Sequence, residues 1–405
     1  MPIGLPECPE LTPIPGIRLS VASAGIARGE RNDVALIEAD VGTRCAAVFT
    51  RNLFCAAPVT ISRTHLSAAT PRYFLSNAGN ANCGTGESGL RAAVDCCEAV
   101  ASHASCKREE VLPFSTGVIG EPLAADKIAA VIPDLVKDLS EDGWLAAARA
   151  IMTTDTVPKG VSRHVITASG SYTLTGIAKG AGMIRPDMAT MLAYVATDAD
   201  VAHSVLQRAL ANAVAHSFNR ITVDGDTSTN DSCVLLATGA SGVRIDSVEG
   251  DEYESFCEAL TGLCVELAQS LIRDAEGITK FITIVVDGAR DEAECAAVAY
   301  TIAHSPLVKT AFFASDPNWG RILAAVGRSG VGDLDLDRIE IFLEDVCIVR
   351  EGGRAQTYTE ERGQRVMSQA EITLRVSLGR GNASTVVWTT DLSHDYVRIN
   401  AEYRT

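Results

Sequence analysis

The chain has 405 residues, of which 47% are hydrophobic and 21% are charged, a composition that excludes a globally disordered protein. Its 35 basic and 51 acidic residues give a formal net charge of −16, which argues against binding nucleic acid over a broad surface. The proline-rich N-terminus lacks a signal-peptide pattern, and the apolar runs are far shorter than the roughly 20 residues that span a bilayer. We therefore expect a cytoplasmic protein that binds neither nucleic acid nor membranes.

Helical and strand-like segments alternate along the chain, which predicts a mixed α/β protein whose helices cover sheets. Apolar residues at helical spacing predict helices over 90–103, 205–218 and 252–272. In the first of these, the predicted apolar face consists of Leu90, Val94, Cys97 and Ala101. Runs rich in β-branched and aromatic residues predict strands over 281–286, 339–343, 372–378 and 385–390. From about Asp333 onward the chain is mostly strand-like, which is typical of an α+β ending.

Three polar segments with turn-forming residues interrupt these elements. The segment 76–89 (SNAGNANCGTGESG) matches no phosphate-binding motif, which favours a loop that caps the following helix over an anion site. The segment 224–232 (DGDTSTNDS) lacks the Gly and Glu of a calcium-binding EF-hand loop and is interpreted as a polar turn near an active site. The segment 315–321 (SDPNWGR) predicts a loop that packs through Trp319.

The cysteines and histidines do not form the clusters that metal sites require. The twelve cysteines include no Cys-x-x-Cys pair, and the seven histidines include no His-Glu-x-x-His or His-x-His motif, so no metal site is predicted. A chain of this length does not need disulfides for stability, and we expect mostly buried, reduced thiols. The absence of a Gly-x-Ser-x-Gly motif also argues against an α/β-hydrolase.

A glycine-containing loop between two apolar runs, within 175–198, offers a candidate nucleophile. Thr190 follows the small residue Ala189 shortly before the run Leu192 to Val195. Attack of Thr190 Oγ on the Ala189 carbonyl carbon would give an ester, and hydrolysis would leave Thr190 as a new N-terminus. Its α-amine, with an unperturbed pKa of about 7.7–8.0, would then act as a general base. Because threonine is also common at the start of strands, the pattern alone leaves a purely structural role open.

The segment 179–199 (KGAGMIRPDMATMLAYVATDA) resembles the self-cleavage segment of the ornithine acetyltransferase family, the glutamate N-acetyltransferases of arginine biosynthesis. Six further segments resemble family segments in the family order: 114–123 (FSTGVIGEPL), 150–159 (AIMTTDTVPK), 222–232 (TVDGDTSTNDS), 276–280 (EGITK), 316–322 (DPNWGRI) and 395–405 (DYVRINAEYRT). The resemblance therefore covers essentially the whole chain and does not depend on one motif.

The resemblance implies layered sheets and helices of the type shared by ornithine acetyltransferases and self-cleaving aminopeptidases. It implies cleavage into an α chain (1–189) and a β chain (190–405) that form one intertwined catalytic unit, with a smaller strand-rich part from about 333, and that assemble as α2β2. Thr190 would take acetyl from N-acetyl-L-ornithine, release ornithine, and pass the acetyl group to L-glutamate to give N-acetylglutamate by ping-pong kinetics. No cofactor is implied, and acetyl-CoA is a co-substrate only in bifunctional members.

Residue by residue, the resemblance assigns Thr116 and Gly117 to an oxyanion hole, in which a hydroxyl and a backbone N–H bind the developing negative charge. Substrate contacts are assigned to six positions: Thr153, Lys179, Thr190, Glu276, Asn400 and Thr405. Lys179 would pair with a substrate carboxylate, and Glu276 would bind either an amine of the substrate or the Thr190 α-amine. Thr154 is the open alternative to Thr153. The alternating pattern at 396–400 (YVRIN) predicts that the C-terminus docks as a strand.

Two residues before the predicted cleavage bond depart from the family pattern. Asp187 stands where many relatives have Asn, and Arg185 precedes Pro186. An extra carboxylate there is expected to change the rate of cleavage without abolishing it. Two alternative functions stay open: an amidohydrolase or aminopeptidase on the same fold, in which water resolves the acyl-threonine, and an amino-acid-binding protein that never cleaves itself.

Overall fold

A computed structural model of the chain describes residues 2–185 and 191–402. The strands in these residues are β1 (Ile17–Ala22), β2 (Val34–Ala39), β3 (Arg44–Phe49), β4 (Tyr73–Asn80), β5 (Val111–Val118), β6 (Lys159–Thr167), β7 (Gly170–Lys179), β8 (Leu192–Thr197), β9 (Asp200–Val201), β10 (Ser232–Ala237), β11 (Arg244–Ile245), β12 (Phe281–Ala289), β13 (Glu340–Leu343), β14 (Val346–Arg350), β15 (Gly353–Arg354), β16 (Glu371–Ser377) and β17 (Ala383–Thr390).

The helices in the described residues are α1 (Ala57–Ala68), α2 (Gly86–Ala104), α3 (Ala125–Lys137), α4 (Trp144–Ala150), α5 (His203–Ala215), α6 (Asp251–Arg273), α7 (Glu292–Ala303), α8 (Pro306–Phe313), α9 (Trp319–Gly327), α10 (Glu360–Met367) and α11 (His394–Ala401). The chain divides into two compact units. The larger unit comprises Pro6–Asn219 and Asp226–Leu271, and the smaller unit comprises Met1–Leu5, Arg220–Gly225 and Ile272–Thr405.

Two sheets pack face to face in the larger unit. One has four strands in the order β1-β2-β4-β5, and the other has five in the order β3-β10-β8-β7-β6. Leu19, Ile37 and Phe74 from the first sheet and Tyr194 and Val234 from the second are buried in the core between them. The pairs β4–β5 and β8–β10 are parallel, and the other pairs of these two sheets are antiparallel.

Helices cover the outer faces of both sheets of the larger unit. On the four-stranded sheet, Cys97 of α2 lies in one buried cluster with Val34 of β2 and with residues of α3. On the five-stranded sheet, Gly176 of β7 leaves room for Leu263 and Leu267 of α6, whose side chains lie 2.9 and 3.2 Å from where a Cβ would stand. This succession of helix, sheet, sheet and helix confirms the predicted layered α/β fold.

One helix among the described residues, α6, is long and apolar enough to cross a membrane, with a mean hydropathy of 1.2 in its most apolar window. Its first turn carries three acidic residues, and half of that window is buried within the protein. Leu260, Leu263 and Leu267 are fully buried at the spacing of one helix face. The helix therefore has the pattern of a core helix.

The smaller unit is built on a six-stranded sheet in the order β15-β14-β13-β16-β12-β17. β12 lies between β16, which runs parallel to it, and β17, which runs antiparallel. The buried core joins these strands to helices through residues such as Val298 and Ile302 of α7, Phe312 of α8, Val326 of α9 and Met367 of α10.

Several predictions from periodicity are confirmed by these elements. The helix predicted over 205–218 is α5, and the one over 252–272 is α6. The predicted strands over 281–286, 339–343, 372–378 and 385–390 lie within one residue of β12, β13, β16 and β17 or inside them. All twelve cysteines are free thiols, and most are buried, as expected.

Three local predictions were wrong. The buried face of α2 is rotated from the predicted one, because Ala93 is fully buried whereas Val94 is only half-buried. The segment 76–80 is the end of β4 and is not part of a loop. The segment 396–400 is helical, because Ser393 caps α11 by accepting a hydrogen bond from the Tyr396 N–H at 3.2 Å and overrides the alternating pattern.

Candidate active site

The end of β5 carries Thr116 and Gly117, and it lies against the backbone of β4. Gly117 has φ +132°, and a Cβ built on it would stand 2.3 Å from the carbonyl carbon of Gly79. Asn80 faces both Thr116 and Val118 in the strand register, which is the pairing of a β-bulge. Only glycine fits at position 117, and the bulge redirects the chain at the two residues assigned to the oxyanion hole.

Gly79 is itself packed against a third backbone segment. It has φ +102°, and a Cβ there would stand 2.7 Å from the Cα of Ala27. The buried carboxylate of Asp33 fixes this segment by accepting hydrogen bonds from the N–H groups of Ala24, Ile26 and Ala27 at 2.7, 2.5 and 2.8 Å. Three backbone segments in contact therefore leave the end of β5 little freedom to move.

Buried asparagine side chains connect β5 to the loop before β10. Asn230 Nδ2 donates to the backbone oxygens of Ser115 and Ala81 at 2.9 and 2.6 Å. Ser115 Oγ donates to Asn77 Oδ1 at 2.6 Å, and Asn77 Nδ2 donates to the Asn80 carbonyl at 2.9 Å. Because buried polar groups must be hydrogen-bonded to be tolerated, this network favours one arrangement of β5.

Lys179, the last residue of β7, brings two candidate side chains together. Its Nζ donates to Oγ1 of Thr116 and to Oγ1 of Thr153, both at 2.9 Å, and the residue is only 6% exposed. In the strand register Lys179 faces Leu192, the first residue of β8. The ammonium group therefore projects from the strand end that pairs with the start of β8, two residues after Thr190 in the sequence.

Asp155 binds backbone groups on both sides of this lysine contact. Its Oδ1 accepts from Lys159 Nζ and from the Gly180 N–H, each at 2.7 Å, and its Oδ2 accepts from the Thr153 N–H at 3.1 Å. The side chains of Asp155 and Lys159 are shielded from solvent completely. Burial opposes the charged carboxylate, but Lys159 and Lys179 outweigh it and hold the pKa of Asp155 well below its usual range.

In the smaller unit, Asn400 of α11 binds Glu276. Asn400 Nδ2 donates to Glu276 Oε2 at 2.8 Å and to the Tyr396 carbonyl at 3.0 Å. Gly277 has φ +67°, and a Cβ there would stand 2.3 Å from the Tyr396 nitrogen. The Ser393 hydroxyl also donates to the Gly277 carbonyl at 2.5 Å. The segment that carries Glu276 is therefore packed on the first turn of α11.

Asp391 anchors the far end of the Glu276 segment. Its Oδ1 accepts hydrogen bonds from the N–H groups of Thr279 and Lys280 at 2.9 and 3.0 Å, and its Oδ2 accepts from the Thr279 hydroxyl. Asp391 is 4% exposed, so these bonds are made in a buried environment. A single carboxylate therefore fixes the backbone three to four residues after Glu276.

Lys309 of α8 lies near Asp391 but binds neutral oxygen atoms. Its Nζ donates to Oγ1 of Thr389 and Oγ1 of Thr390, each at 3.2 Å, and to the Thr390 carbonyl. Burial lowers the pKa of Lys309 to about 8, and the carboxylates of Asp391 and Asp224 act against this shift.

The structure places the residues assigned from the sequence in two groups. Thr116, Gly117, Thr153 and Lys179 lie together in the larger unit, and Glu276 and Asn400 lie together in the smaller unit. Thr153 supplies the hydroxyl that accepts from Lys179, at the position where Thr154 was the alternative. Outside the described residues lie Ala189, Thr190 and Thr405, together with Asp187.

The sequence interpretation missed Asp155 and Asp391. Asp155 lies inside the segment 150–159 and four residues before Lys159, a spacing of opposite charges that offered a signal. Asp391 follows a predicted strand, and its partners are more than a hundred residues away in sequence, so no local signal marks it. Within 2–185 and 191–402, no group of three or more His, Cys, Asp and Glu residues is arranged to hold a metal ion.

Comparison with known proteins identifies the family. The model of the ArgJ family matches residues 18–405. The chain is 55% identical to the Arginine biosynthesis bifunctional protein ArgJ of Pseudomonas syringae pv. tomato over the full length of both chains. It is 58% identical to the protein of the same name from Methylococcus capsulatus, over 98% of this chain and 97% of that one.

A solved structure supports the same assignment. The Arginine biosynthesis bifunctional protein ArgJ of Bacillus halodurans is 40% identical to this chain, with a TM-score of 0.51. The match covers 53% of this chain and all of that chain. Because the family model and the relatives match across essentially the whole sequence, the chain belongs to the ArgJ family.

Proposed function

We propose that this chain is a self-cleaving acetyltransferase of arginine biosynthesis that transfers acetyl from N-acetyl-L-ornithine to L-glutamate. Family membership and the names of relatives that are 55% and 58% identical support this function. The structural observation that carries the proposal is the contact of Lys179 with the hydroxyls of Thr116 and Thr153 at the strand end that pairs with the start of β8. Three separate sequence motifs of the family meet at this contact.

Self-cleavage between Ala189 and Thr190 is part of the proposal and divides the chain into 1–189 and 190–405. The register of β8, in which Leu192 pairs with Lys179 of β7 and Ser232 of β10, firmly holds the chain just after this bond. The match to the Bacillus halodurans chain covers 53% of this chain. Residues 190–405 make up the same share, 216 of 405, so the length of that match is consistent with this division.

The chemistry follows from a threonine that carries a free α-amine. Thr190 Oγ attacks the acetyl carbonyl carbon of N-acetylornithine while the α-amine takes the hydroxyl proton. The carbonyl oxygen becomes an oxyanion, which Thr116 Oγ and the Gly117 N–H stabilise. The C–N bond then breaks, ornithine leaves with the proton on its amine, and acetyl-Thr190 remains. The amine of glutamate attacks this ester and regenerates Thr190 as N-acetylglutamate forms.

Charged groups in both units suit amino-acid substrates. Lys179 is a cation for a substrate carboxylate, and Glu276, held by Asn400, is an anion for an amine. We assign Thr153 and Thr405 to the same binding function. The proposal further includes α2β2 assembly in the cytoplasm, with acetyl-CoA as a second acetyl donor in keeping with the word bifunctional in the relatives' names.

Intact mass of freshly purified protein under denaturing conditions tests the proposal. We expect two fragments that break between Ala189 and Thr190, and one added acetyl group on the 190–405 fragment after incubation with N-acetylornithine. Addition of glutamate should remove that acetyl group and yield N-acetylglutamate. Release of ornithine without N-acetylglutamate would favour the hydrolase, and a single uncut mass would favour the binding protein.

A pair of variants at position 190 tests whether the Thr190 hydroxyl is the nucleophile. Thr190→Ala should remain uncut and inactive, because no hydroxyl is available for the acyl shift or for acetyl transfer. Thr190→Ser keeps a hydroxyl and should still be cut and acetylated, at a lower rate. A cut and active Thr190→Ala variant would refute the assignment of the nucleophile.

A further inference from the structure

The contact between Lys179 and Thr116 fixes the direction of the threonine hydroxyl. An ammonium group has three donors and no acceptor, so Thr116 Oγ1 must be the acceptor of the 2.9 Å hydrogen bond. The single proton of the Thr116 hydroxyl therefore points away from Lys179. A hydroxyl that accepts a hydrogen bond from a cation becomes a stronger donor itself, because hydrogen bonds in a chain polarise one another. The contact thus prepares Thr116 to donate.

Asp155 holds the two backbone segments that make this contact. It accepts from the N–H of Gly180, the residue after Lys179, and from the N–H of Thr153, whose hydroxyl also accepts from Lys179. One carboxylate therefore fixes both the strand end from which the ammonium group projects and the loop against which it rests. Lys159 forms a direct ion pair with this carboxylate in a position without solvent access, and so compensates its charge.

We propose that Asp155 is a positioning residue for acetyl transfer, which holds the Lys179 ammonium group against Thr116 so that the Thr116 hydroxyl donates to the oxyanion. This inference rests on the proposed function, in which Thr116 is an oxyanion donor. It gives Lys179 a role at the reacting carbonyl through Thr116. Donors aimed in advance at a developing charge stabilise the transition state more than the bound substrate. The effect of Asp155, and the effect of Lys179 that acts through Thr116, therefore fall on kcat, whereas loss of a substrate carboxylate contact falls on KM.

Two variants and one control test the proposal in the full-length, self-cleaved enzyme. Lys179→Met removes the ammonium group and keeps a long side chain. The double variant Asp155→Asn/Lys159→Gln removes both charges of the anchor together, so that neither remains buried without its partner. Glu266→Gln is the control, because it opens the exposed ion pair with Arg163 in the same unit. Steady-state kinetics with N-acetylornithine and glutamate give KM and, per mole of cut chain, kcat. The melting temperature Tm shows whether each variant is folded.

We expect Lys179→Met to lower kcat about tenfold or more, since removal of a complete oxyanion donor typically lowers it about 10²–10³-fold. The double variant should lower kcat by roughly three- to tenfold, because Thr116 keeps its hydroxyl but loses its fixed partner. In the double variant, which keeps the ammonium group, KM for N-acetylornithine should change by less than about threefold. In Lys179→Met the fall in kcat should be accompanied by a rise in KM, because the cation proposed for the substrate carboxylate is also lost. Glu266→Gln should have the kcat and KM of the wild type.

Three results would overturn the inference. A rise in KM at constant kcat in Lys179→Met would assign the lysine to a substrate carboxylate alone. An unchanged kcat in the double variant would remove Asp155 from the reaction. A folded double variant that stays uncut would place Asp155 in cleavage rather than in acetyl transfer. Failure of the wild type to gain acetyl on the 190–405 fragment is a separate result, which would refute the proposed function itself.

Discussion

Each unit fixes the backbone beside its candidate binding residues with a buried aspartate, but lysine accompanies the two aspartates in different ways. In the larger unit, Asp155 accepts two backbone N–H groups and forms a direct ion pair with Lys159 at 2.7 Å. In the smaller unit, Asp391 accepts two backbone N–H groups, while the nearby Lys309 donates to neutral oxygen atoms of two threonines. The two carboxylates therefore fix the backbone in similar ways, but the lysine beside each of them is bound differently.

This difference determines whether neighbouring charges or burial dominates the pKa of each buried group. Next to Asp155, the lysines favour the charged carboxylate strongly enough to lower its pKa despite complete burial. At Lys309, burial outweighs the nearby carboxylates and lowers the lysine pKa to about 8. A buried ion pair depends on both of its members, whereas Lys309 keeps its hydrogen bonds to neutral oxygens when the carboxylate of Asp391 is removed. The two anchors should therefore respond differently to the same substitution.

The largest contrast is expected between Asp155→Asn and Asp391→Asn. Asp155→Asn removes the buried carboxylate that forms an ion pair with Lys159 and should lower the free energy of unfolding by about 3–5 kcal/mol. Asp391→Asn keeps an oxygen acceptor for the backbone and should lower it by about 1–2 kcal/mol. Denaturant unfolding of both variants at pH 7 measures the difference. Equal losses would show that the ion pair gives Asp155 no special dependence on its partner.

The acid response of the same variant sharpens this result. The native Asp155 carboxylate takes up a proton only at a lower pH than the unfolded one, so its contribution is complete at neutral pH. The contribution is lost as the pH falls through the acid range. The stability difference between the wild type and Asp155→Asn should therefore shrink below about pH 4. A difference that does not change with pH would contradict the assigned charge state.

Lys309→Met should remove a pH dependence of stability on the alkaline side. The unfolded chain binds a proton on Lys309 below about pH 10.5, whereas the native chain does so only below about pH 8. Between these values the unfolded state holds more protons, so the wild type gains up to about 3 kcal/mol relative to the variant as the pH rises. Urea unfolding of both proteins from pH 8 to 10.5 measures this gain. Titratable groups that both proteins share contribute equally to the two free energies of unfolding, so their contributions cancel in the difference. A difference that does not change with pH would contradict the prediction.

The sequence predicted an element correctly where its apolar residues repeat with one period and form one buried face. In α6 the leucines repeat at the helical period, and the same residues are buried in the structure. In α2 the pattern predicted the helix but placed Val94 in the buried face, because small residues such as Ala93 also pack closely against neighbours. At 396–400 a single cap at Ser393 decided between helix and strand against the alternating pattern.

The candidate site was recognised through its motifs, whereas its supports were not. Thr116 and Lys179 lie in segments that resemble the family, and the structure brings their side chains into contact. The anchoring role of Asp155 depends on Gly180, 25 residues later, and that of Asp391 on Thr279, 112 residues earlier. No local pattern encodes such bonds, because they form only after distant segments have packed. Sequence alone therefore predicted the chemical groups and not the residues that hold them.

The smallest expected effect concerns Asn400, which is exposed and contacts Glu276 through one hydrogen bond. Asn400→Ala removes this donor, so Glu276 should become less well oriented for a substrate amine. Because one such bond contributes about 1 kcal/mol, we expect KM to rise by up to about fivefold while kcat stays close to that of the wild type. Arg398→Gln, which opens an exposed ion pair with Asp395 on the same helix, is the matched control and should change neither value. A drop in kcat with constant KM in Asn400→Ala would assign Glu276 to the chemical step instead of to substrate binding. The smaller unit would then no longer resemble the larger unit as a region that binds substrate.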